Sequence, residues 1–469
     1  MRKTKNICTI GPATTDVAVL VDMIDHGMDC ARLNFSHGSH EEHKMRMDNI
    51  RRASQITRRS IPILLDTKGP EIRFGTFPGG GIELLEGEAF AICCDGGEAD
   101  EHKYGHVTFA ELWQYVSRGS TLLVDDGKLE LKVKEVRGET IWCTVVTGGY
   151  LRDHKGINIP NVPIPMAYLS QADRDDLRFG VEQDVDFIAM SFVRSRADVL
   201  AVRDYLKELG AGPIRLIAKI ENNEGLADFD GILEEADGIM VARGDMGVEL
   251  PFQCVPQIQK DLIHRCFKAG KLVITATQML ESMISSARPT RAEVSDVANA
   301  VYDGTGVVML SGESAMGSYP VEAVSALSAI SEESERHIDY YRDFLCDLSQ
   351  YDDVNVPLAY GAYYTALHIG AAAIVVTTHS GRTARLVSAM RPNCRIIACT
   401  DEEKTERQMQ LSWGVEPVLV PHYESAKELS DGCIAACRRT AGLGSGDRVI
   451  LIGSQAMTAE YDFIQIITL

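Results

Sequence analysis

Lysine and glutamate alternate inside an apolar run at residues 217–226, IAKIENNEGL. Ile214, Leu216, Ile217 and Ile220 mark the run as a strand, and a strand turns residues i and i+2 to one side. Lys219 and Glu221 therefore share a face where water is scarce. Charge buried there is costly unless it is paired or used. The next apolar run, GIMVAR (238–243), leads into RGDMG and brings Asp245 one strand–helix unit further on. Two carboxylates converging from consecutive strands suit a hard cation such as Mg²⁺. Asp245 also opens a turn whose N–H groups can hold an anion, and Arg32, Lys219 and Arg243 add positive charge. A metal beside converging cations implies a phosphorylated or carboxylated substrate. The competing reading is structural, an ion pair of Glu221 with Lys219 or Arg243.

Two other stretches carry chemistry-bearing side chains. FSHGSHEEH spaces His37, His40 and His43 three apart. A metal site would use that spacing, but Ser39 as helix N-cap with Glu42 three residues on makes a capping box, which accounts for His40 and His43. HSGRTAR (379–385) reads as a loop opening a helix, a place for phosphate capture or a simple cap.

The elements that must position these residues follow from apolar periodicity. NICTI (6–10), DCARLN (29–34), IPILLD (61–66), DFIAMSF, IRLIAKI (214–220), GIMVAR (238–243), LVITAT (272–277) and GVVML (306–310) are short apolar runs, each followed by a helical pattern. Eight strand–helix units predict a closed (β/α)8 TIM barrel, with its active site at the C-terminal ends of the strands. Those ends offer Arg32, Asn34 and Ser36 from strand two; Asp66 and Thr67, then Lys68, Glu71 and Arg73, from strand three; Lys219 and Glu221 from strand five; Arg243 and Asp245 from strand six; Thr277 from strand seven; and Ser311 and Glu313 from strand eight. Between the third and fourth runs the pattern changes. TLLVDDGKLELKVKEVRGETIWCTVVTGG alternates and turns at Asp126-Gly127 and Arg137-Gly138, which predicts antiparallel β structure. We read residues 74–163 as an all-β lid domain inserted in a barrel of residues 1–73 and 164–345. Residues 346–469, with strands in AAAIVVTT, CRIIACT, VEPVLV and DRVILIG, form a C-terminal open α/β domain.

Composition narrows the function. A net charge of −20 argues against nucleic-acid and anionic-membrane partners. No apolar run reaches the ~20 residues of a membrane helix, and no signal peptide is evident. Twelve scattered cysteines, without a zinc-type pair of CxxC motifs, point to reduced thiols and a cytoplasmic protein. These readings do not choose the reaction: a Schiff-base aldolase through Lys219, a Mg²⁺-dependent barrel aldolase or lyase for 2-oxo acids, and a catalytically silent metabolite sensor all stand.

Seven motifs in order, TKNICTIGPAT, ARLNFSHG, LLDTKGPEIR, AKIENNEGL, VARGDMGVEL, TATQMLESM and PTRAEVSDVANAVYDGT with VMLSGESA, resemble the pyruvate kinase family. The resemblance implies transfer of the phosphoryl group of phosphoenolpyruvate to ADP, giving pyruvate and ATP. It implies Mg²⁺ (or Mn²⁺) on Glu221 and Asp245, and K⁺ on Asn34, Ser36, Asp66 and Thr67. Arg32 would bind the substrate phosphate, Lys219 the phosphoryl group in flight, and Gly244, Asp245 and Thr277 the carboxylate, with Thr277 near the protonation path. Asn34, His37, Arg73 and Lys155 match nucleotide contacts. Glu71 matches members that require K⁺. Thr378, Ser380, Gly381, Arg382 and Thr383 match half of a sugar-phosphate effector pocket, whereas the end of the chain, GSQAMTAEYDFIQIITL, departs from the family's effector loop. A homotetramer is the family's usual assembly.

Overall fold

The computed structural model describes residues 2–97, 103–340, 355–454 and 462–469. The expected boundary at 345/346 and part of the divergent C-terminal stretch lie outside the described residues. Eight parallel strands close into a barrel in sequential order: β1 (Lys5–Thr9), β2 (Cys30–Asn34), β3 (Ile63–Asp66), β4 (Phe187–Met190), β5 (Arg215–Ile220), β6 (Gly238–Ala242), β7 (Leu272–Ala276) and β8 (Val307–Leu310). Each falls within a residue or two of its apolar run. The runs are continuous rather than alternating because both faces are buried, one against helices and one against the barrel axis.

That two-sidedness sorts the residues. Cys8, Ala31, Leu33, Leu65, Ile188, Leu216, Ala218 and Ile220 pack outward against the helices. Ile7, Cys30, Leu64, Phe187, Ala189, Ile217, Met240, Ile274 and Met309 fill the barrel axis. Leu411, from the C-terminal domain, joins this axial cluster. At the same end Lys5 Nζ donates to the Val415 carbonyl at 2.7 Å, so that domain closes the floor of the barrel.

The insert forms a seven-stranded sheet and a two-stranded ribbon around its own apolar core. Both expected turns appear, with Asp125, Asp126 and Gly127 at φ 51, 58 and 78° and Gly138 at 58°. The sheet also recruits Ile72–Arg73, paired with Gly156–Ile157. The C-terminal domain is a five-stranded sheet whose first four strands are parallel. Its last strand, Asp462–Thr468, was not expected and runs antiparallel to Arg448–Ser454. All the described cysteines are free thiols, and no helix among the described residues is long and apolar enough to cross a membrane.

Candidate active site

The period of two that fills the barrel axis also builds the site. Two residues beyond Ile7, Cys30, Leu64, Ala189 and Ile217, on the same inward face, stand Thr9, Arg32, Asp66, Ser191 and Lys219. These five form one hydrogen-bonded layer. Arg32 Nε donates to Asp66 Oδ2 at 2.6 Å and Arg32 Nη1 to Thr9 Oγ1 at 2.9 Å. Lys219 Nζ donates to Ser191 Oγ at 2.7 Å and Asp66 Oδ1 at 3.2 Å. The Ser191 hydroxyl donates in turn to the Thr67 carbonyl at 2.7 Å. Burial pushes the Asp66 carboxyl up, but Arg32 and Lys219 outweigh it and hold it below its ordinary value. Burial likewise pushes Lys219 down, and Asp66, Glu221 and Asp245 overcome that, so its ammonium is held above its usual range. Ser191 and Thr9 were absent from the sequence reading. Their signal was available: each stands two residues after an inward apolar residue, at the polar end of a strand.

Glu221 is the next inward residue above Lys219 and is 1 % exposed. Its Oε2 accepts from the Phe192 amide at 2.6 Å, an amide aimed by the left-handed backbone of Phe192 (φ 53°). Its Oε1 is buried and lies 2.9 Å from Lys219 Nζ, an ion-pair contact. Burial pushes the Glu221 carboxyl up, and the nearby charge of Asp245 adds to this against the pull of Lys219. A buried carboxylate with a second carboxylate nearby is a donor set that fits a hard dication.

The expected rim residues gather at the mouth with some corrections. Gly244 donates its amide to Thr277 Oγ1 at 2.7 Å, which places β6 and β7 side by side above the barrel. Asp245, Gly244, Thr277 and Gln278 line an open cleft that also takes in Asp126 at the tip of a lid hairpin. Arg243 is not a free cation of this mouth. Its guanidinium donates to the Ala276 and Thr277 carbonyls and pairs with Asp296 at 2.7 Å, so it braces the β7 loop, where Thr277 (φ 68°) and Gln278 (φ 54°) are both left-handed. Glu313 likewise serves the frame, accepting from the Leu280 and Ser311 amides.

Asn34 Oδ1 accepts from the Ser36 amide at 3.1 Å, and Asp66 and Thr67 follow on the neighbouring strand. Burial lowers the His37 pKa, and Arg73, Arg32 and Lys155 lower it further against Glu71; these side chains thus lie within electrostatic reach of one another. Arg73 pairs with Glu71, and Lys155 reaches Asp125 at 2.6 Å. Ser39 and Glu42 form the expected capping box. His43 stacks on Phe35 and His40 pairs with Asp176 at 2.6 Å, so neither is a metal ligand of this site. The Thr378–Thr383 loop sits in the other domain, where Gly381 (φ 76°) caps the helix Arg382–Ala389 and donates to Thr378 Oγ1 at 3.0 Å.

Known proteins resemble this chain in sequence and fold. Residues 1–324 match the pyruvate kinase barrel domain and residues 357–467 the pyruvate kinase alpha/beta domain. The chain belongs to the pyruvate kinase family. It is 43% identical to a pyruvate kinase of Clostridium perfringens over 458 residues, covering 96% of both chains. It is 47% identical to one of Geobacillus stearothermophilus, covering 96% of this chain and 77% of that longer one. The crystal structure of a pyruvate kinase from Cryptosporidium parvum superposes with a TM-score of 0.92 at 38% identity, covering 100% of this chain and 96% of that one. Neither the lyase nor the silent-sensor alternative finds support among these matches.

Proposed function

We propose that the chain transfers the phosphoryl group of phosphoenolpyruvate to ADP, forming pyruvate and ATP, with Mg²⁺ (or Mn²⁺) and K⁺ as its cations. The observation that carries this is the stacking of Glu221, whose Oε1 meets the Lys219 ammonium at 2.9 Å, directly above the Arg32–Asp66–Ser191–Lys219 layer and beside Asp245. Glu221 and Asp245 are the residues that would hold the dication, and Asn34, Ser36, Asp66 and the Thr67 carbonyl those that would hold K⁺. Bound there, the cations supply positive charge that offsets the repulsion between two anionic substrates.

The chain's own groups do the rest by position and charge, as phosphoryl transfer requires little covalent help. Arg32 and Lys219 face the phosphoryl group as a bond forms from phosphorus to an ADP oxygen and the bond to the enol oxygen breaks. Lys219 stays protonated and meets the negative charge left on the enolate. The same protonation unsuits it for imine chemistry, which needs the free amine. The Gly244 amide, Asp245 and Thr277 orient the carboxylate, and the enolate carbon takes its proton on the Thr277 side. Asn34, His37 and Arg73 bind the nucleotide at the barrel rim, and Lys155 approaches it from the lid. Closure of the lid excludes water and so guards against hydrolysis. The barrel (1–73, 164–345), lid (74–163) and C-terminal unit (346–469) act as separate domains of a cytoplasmic homotetramer. A sugar phosphate at Thr378, Ser380, Gly381, Arg382 and Thr383 regulates it.

A coupled assay of pyruvate release from phosphoenolpyruvate and ADP tests the reading. Turnover should require a divalent cation and should fall when Na⁺ or a large organic cation replaces K⁺. No pyruvate under any of these conditions refutes the activity, and rates indifferent to the monovalent ion refute the K⁺ site.

A further inference from the structure

One short helix joins the mouth of the barrel to the lid. Arg243–Glu249 follows β6 without a break, carries Gly244 and Asp245 in its first turn, and spans ~10 Å. Its far end meets the lid at two points. Asn158 Nδ2 donates to Glu249 Oε1 at 3.0 Å. One residue earlier, Val248 lies against the tip of the lid hairpin: a Cβ placed on Gly127 would stand 3.8 Å from Val248 Cγ1, ordinary contact.

Both points belong to one lid sheet. Asn158 pairs with Leu123 on the strand Thr121–Val124, which leads into the Asp125–Gly127 turn. A swing of that sheet therefore either draws on Glu249 or breaks its bond to Asn158. Other contacts of the lid's return segment reach residues outside the site. Asn223 Nδ2 donates to Asn161 Oδ1 and Arg194 Nη1 to the Ile164 carbonyl, each at 3.2 Å. Glu249 is also desolvated. Burial pushes its carboxyl up, the Asn158 amide pulls it down, and the charges of Glu224 and Asp245 push it up again. What the position uses is thus a hydrogen-bond acceptor more than a charge, and a glutamine supplies one of the same length.

We propose that Glu249 is a positioning residue for phosphoryl transfer: its bond to Asn158 makes the helix Arg243–Glu249 the link through which seating a substrate on Gly244 and Asp245 draws the lid shut. The link rests on the activity proposed above and adds the route by which lid closure follows substrate binding. Binding itself is left to Arg32, Lys219 and the cations, so loss of the link falls on kcat, the step that needs a closed, water-free site.

The test compares the wild type with Asn158→Ala, Glu249→Ala, Glu249→Gln and the double alanine variant. It reads steady-state kinetics and the hydrogen exchange of the lid hairpin 121–137 with and without phosphoenolpyruvate and Mg²⁺. In the wild type these ligands should slow exchange in the hairpin at least threefold. Each alanine variant should lose that slowing and at least fivefold in kcat, with KM for phosphoenolpyruvate within twofold of the wild type. The double variant should be no slower than the slower single. Glu249→Gln should restore both the slowing and, within twofold, kcat. A glutamine variant as impaired as the alanine, or kcat losses that multiply in the double, overturns the link. An active wild type whose hairpin exchange ignores the ligands overturns the link alone, whereas a wild type that releases no pyruvate overturns the activity and the link with it.

Discussion

Replacing Lys219 by methionine keeps the length of the side chain and removes its charge. In the wild type Nζ stands 2.9 Å from Glu221 Oε1 and 3.2 Å from Asp66 Oδ1. At an effective dielectric constant of ~20 each contact is worth about 5–6 kcal/mol of gross attraction, set against the cost of burying the charges. Asp66 keeps Arg32 as a partner, but Glu221 loses its counter-charge. Breaking one side of such a buried pair costs roughly 3–5 kcal/mol of stability. The double variant Lys219→Met/Glu221→Gln removes both members, so it should recover about 1–3 kcal/mol relative to the sum of the single changes. Turnover should fall at least ~10³-fold in Lys219→Met, equivalent to about 4 kcal/mol of lost transition-state stabilisation. Substrate and Mg²⁺ binding should persist. Urea unfolding of the two singles and the double gives the coupling, pyruvate release gives turnover, and calorimetry gives binding. Turnover within tenfold of the wild type, or strictly additive stabilities, would refute the assignment of Lys219 as a charge shared between structure and transition state.

Three further outcomes follow from local geometry. Thr277→Gly and Thr277→Ala both lose the hydroxyl that accepts from Gly244, so both should turn over at least tenfold more slowly. The glycine variant should be about 1 kcal/mol more stable than the alanine, because only alanine keeps the cost of φ 68°; equal unfolding midpoints would discount backbone strain there. Lys155→Ala should raise KM for ADP several-fold and leave KM for phosphoenolpyruvate unchanged, and steady-state kinetics showing equal shifts in both would remove Lys155 from the nucleotide site. Burial of the His43 ring holds its pKa down at about 4, below the ~6.5 of the unfolded chain. The unfolded state therefore takes up the proton first, and the stabilising contribution, complete above pH ~6.5, is lost as pH falls toward 4. Between pH 7 and 4.5 the wild type should lose about 2–3 kcal/mol more than His43→Gln, and parallel urea midpoints would show the ring to be solvated.

The barrel was readable because its strands are buried on both faces and so spell themselves as uninterrupted apolar runs. The same pattern made Lys219 and Glu221 conspicuous. Ser191 and Thr9 stayed hidden for the opposite reason: a hydroxyl at a strand end is ordinary, and only the inward column ending at Ala189 or Ile7 gives it meaning. Arg243 looked like a ligand-facing cation because its true partners, the carbonyls of Ala276 and Thr277 and the Asp296 carboxylate, are 33 to 53 residues distant. Asp462–Thr468 escaped notice because an antiparallel edge strand carries no strand–helix rhythm. The floor of the barrel was equally unreadable, since nothing local to Leu411 announces that it fills another domain's axis.

That floor sets a timetable for the growing chain. Ile7 leaves the ribosome roughly 400 residues before Leu411, which at ~5–20 residues per second is about 20–80 seconds. Throughout that interval the lower ring of Ile7, Cys30, Leu64 and their neighbours has no lid of its own and presents aliphatic surface to solvent or to a chaperone. A chain stopped after β8 would leave that ring permanently open. Truncations before residue 411 should therefore clump during synthesis, and a single polar residue at Leu411 should slow the maturation of a barrel it does not belong to.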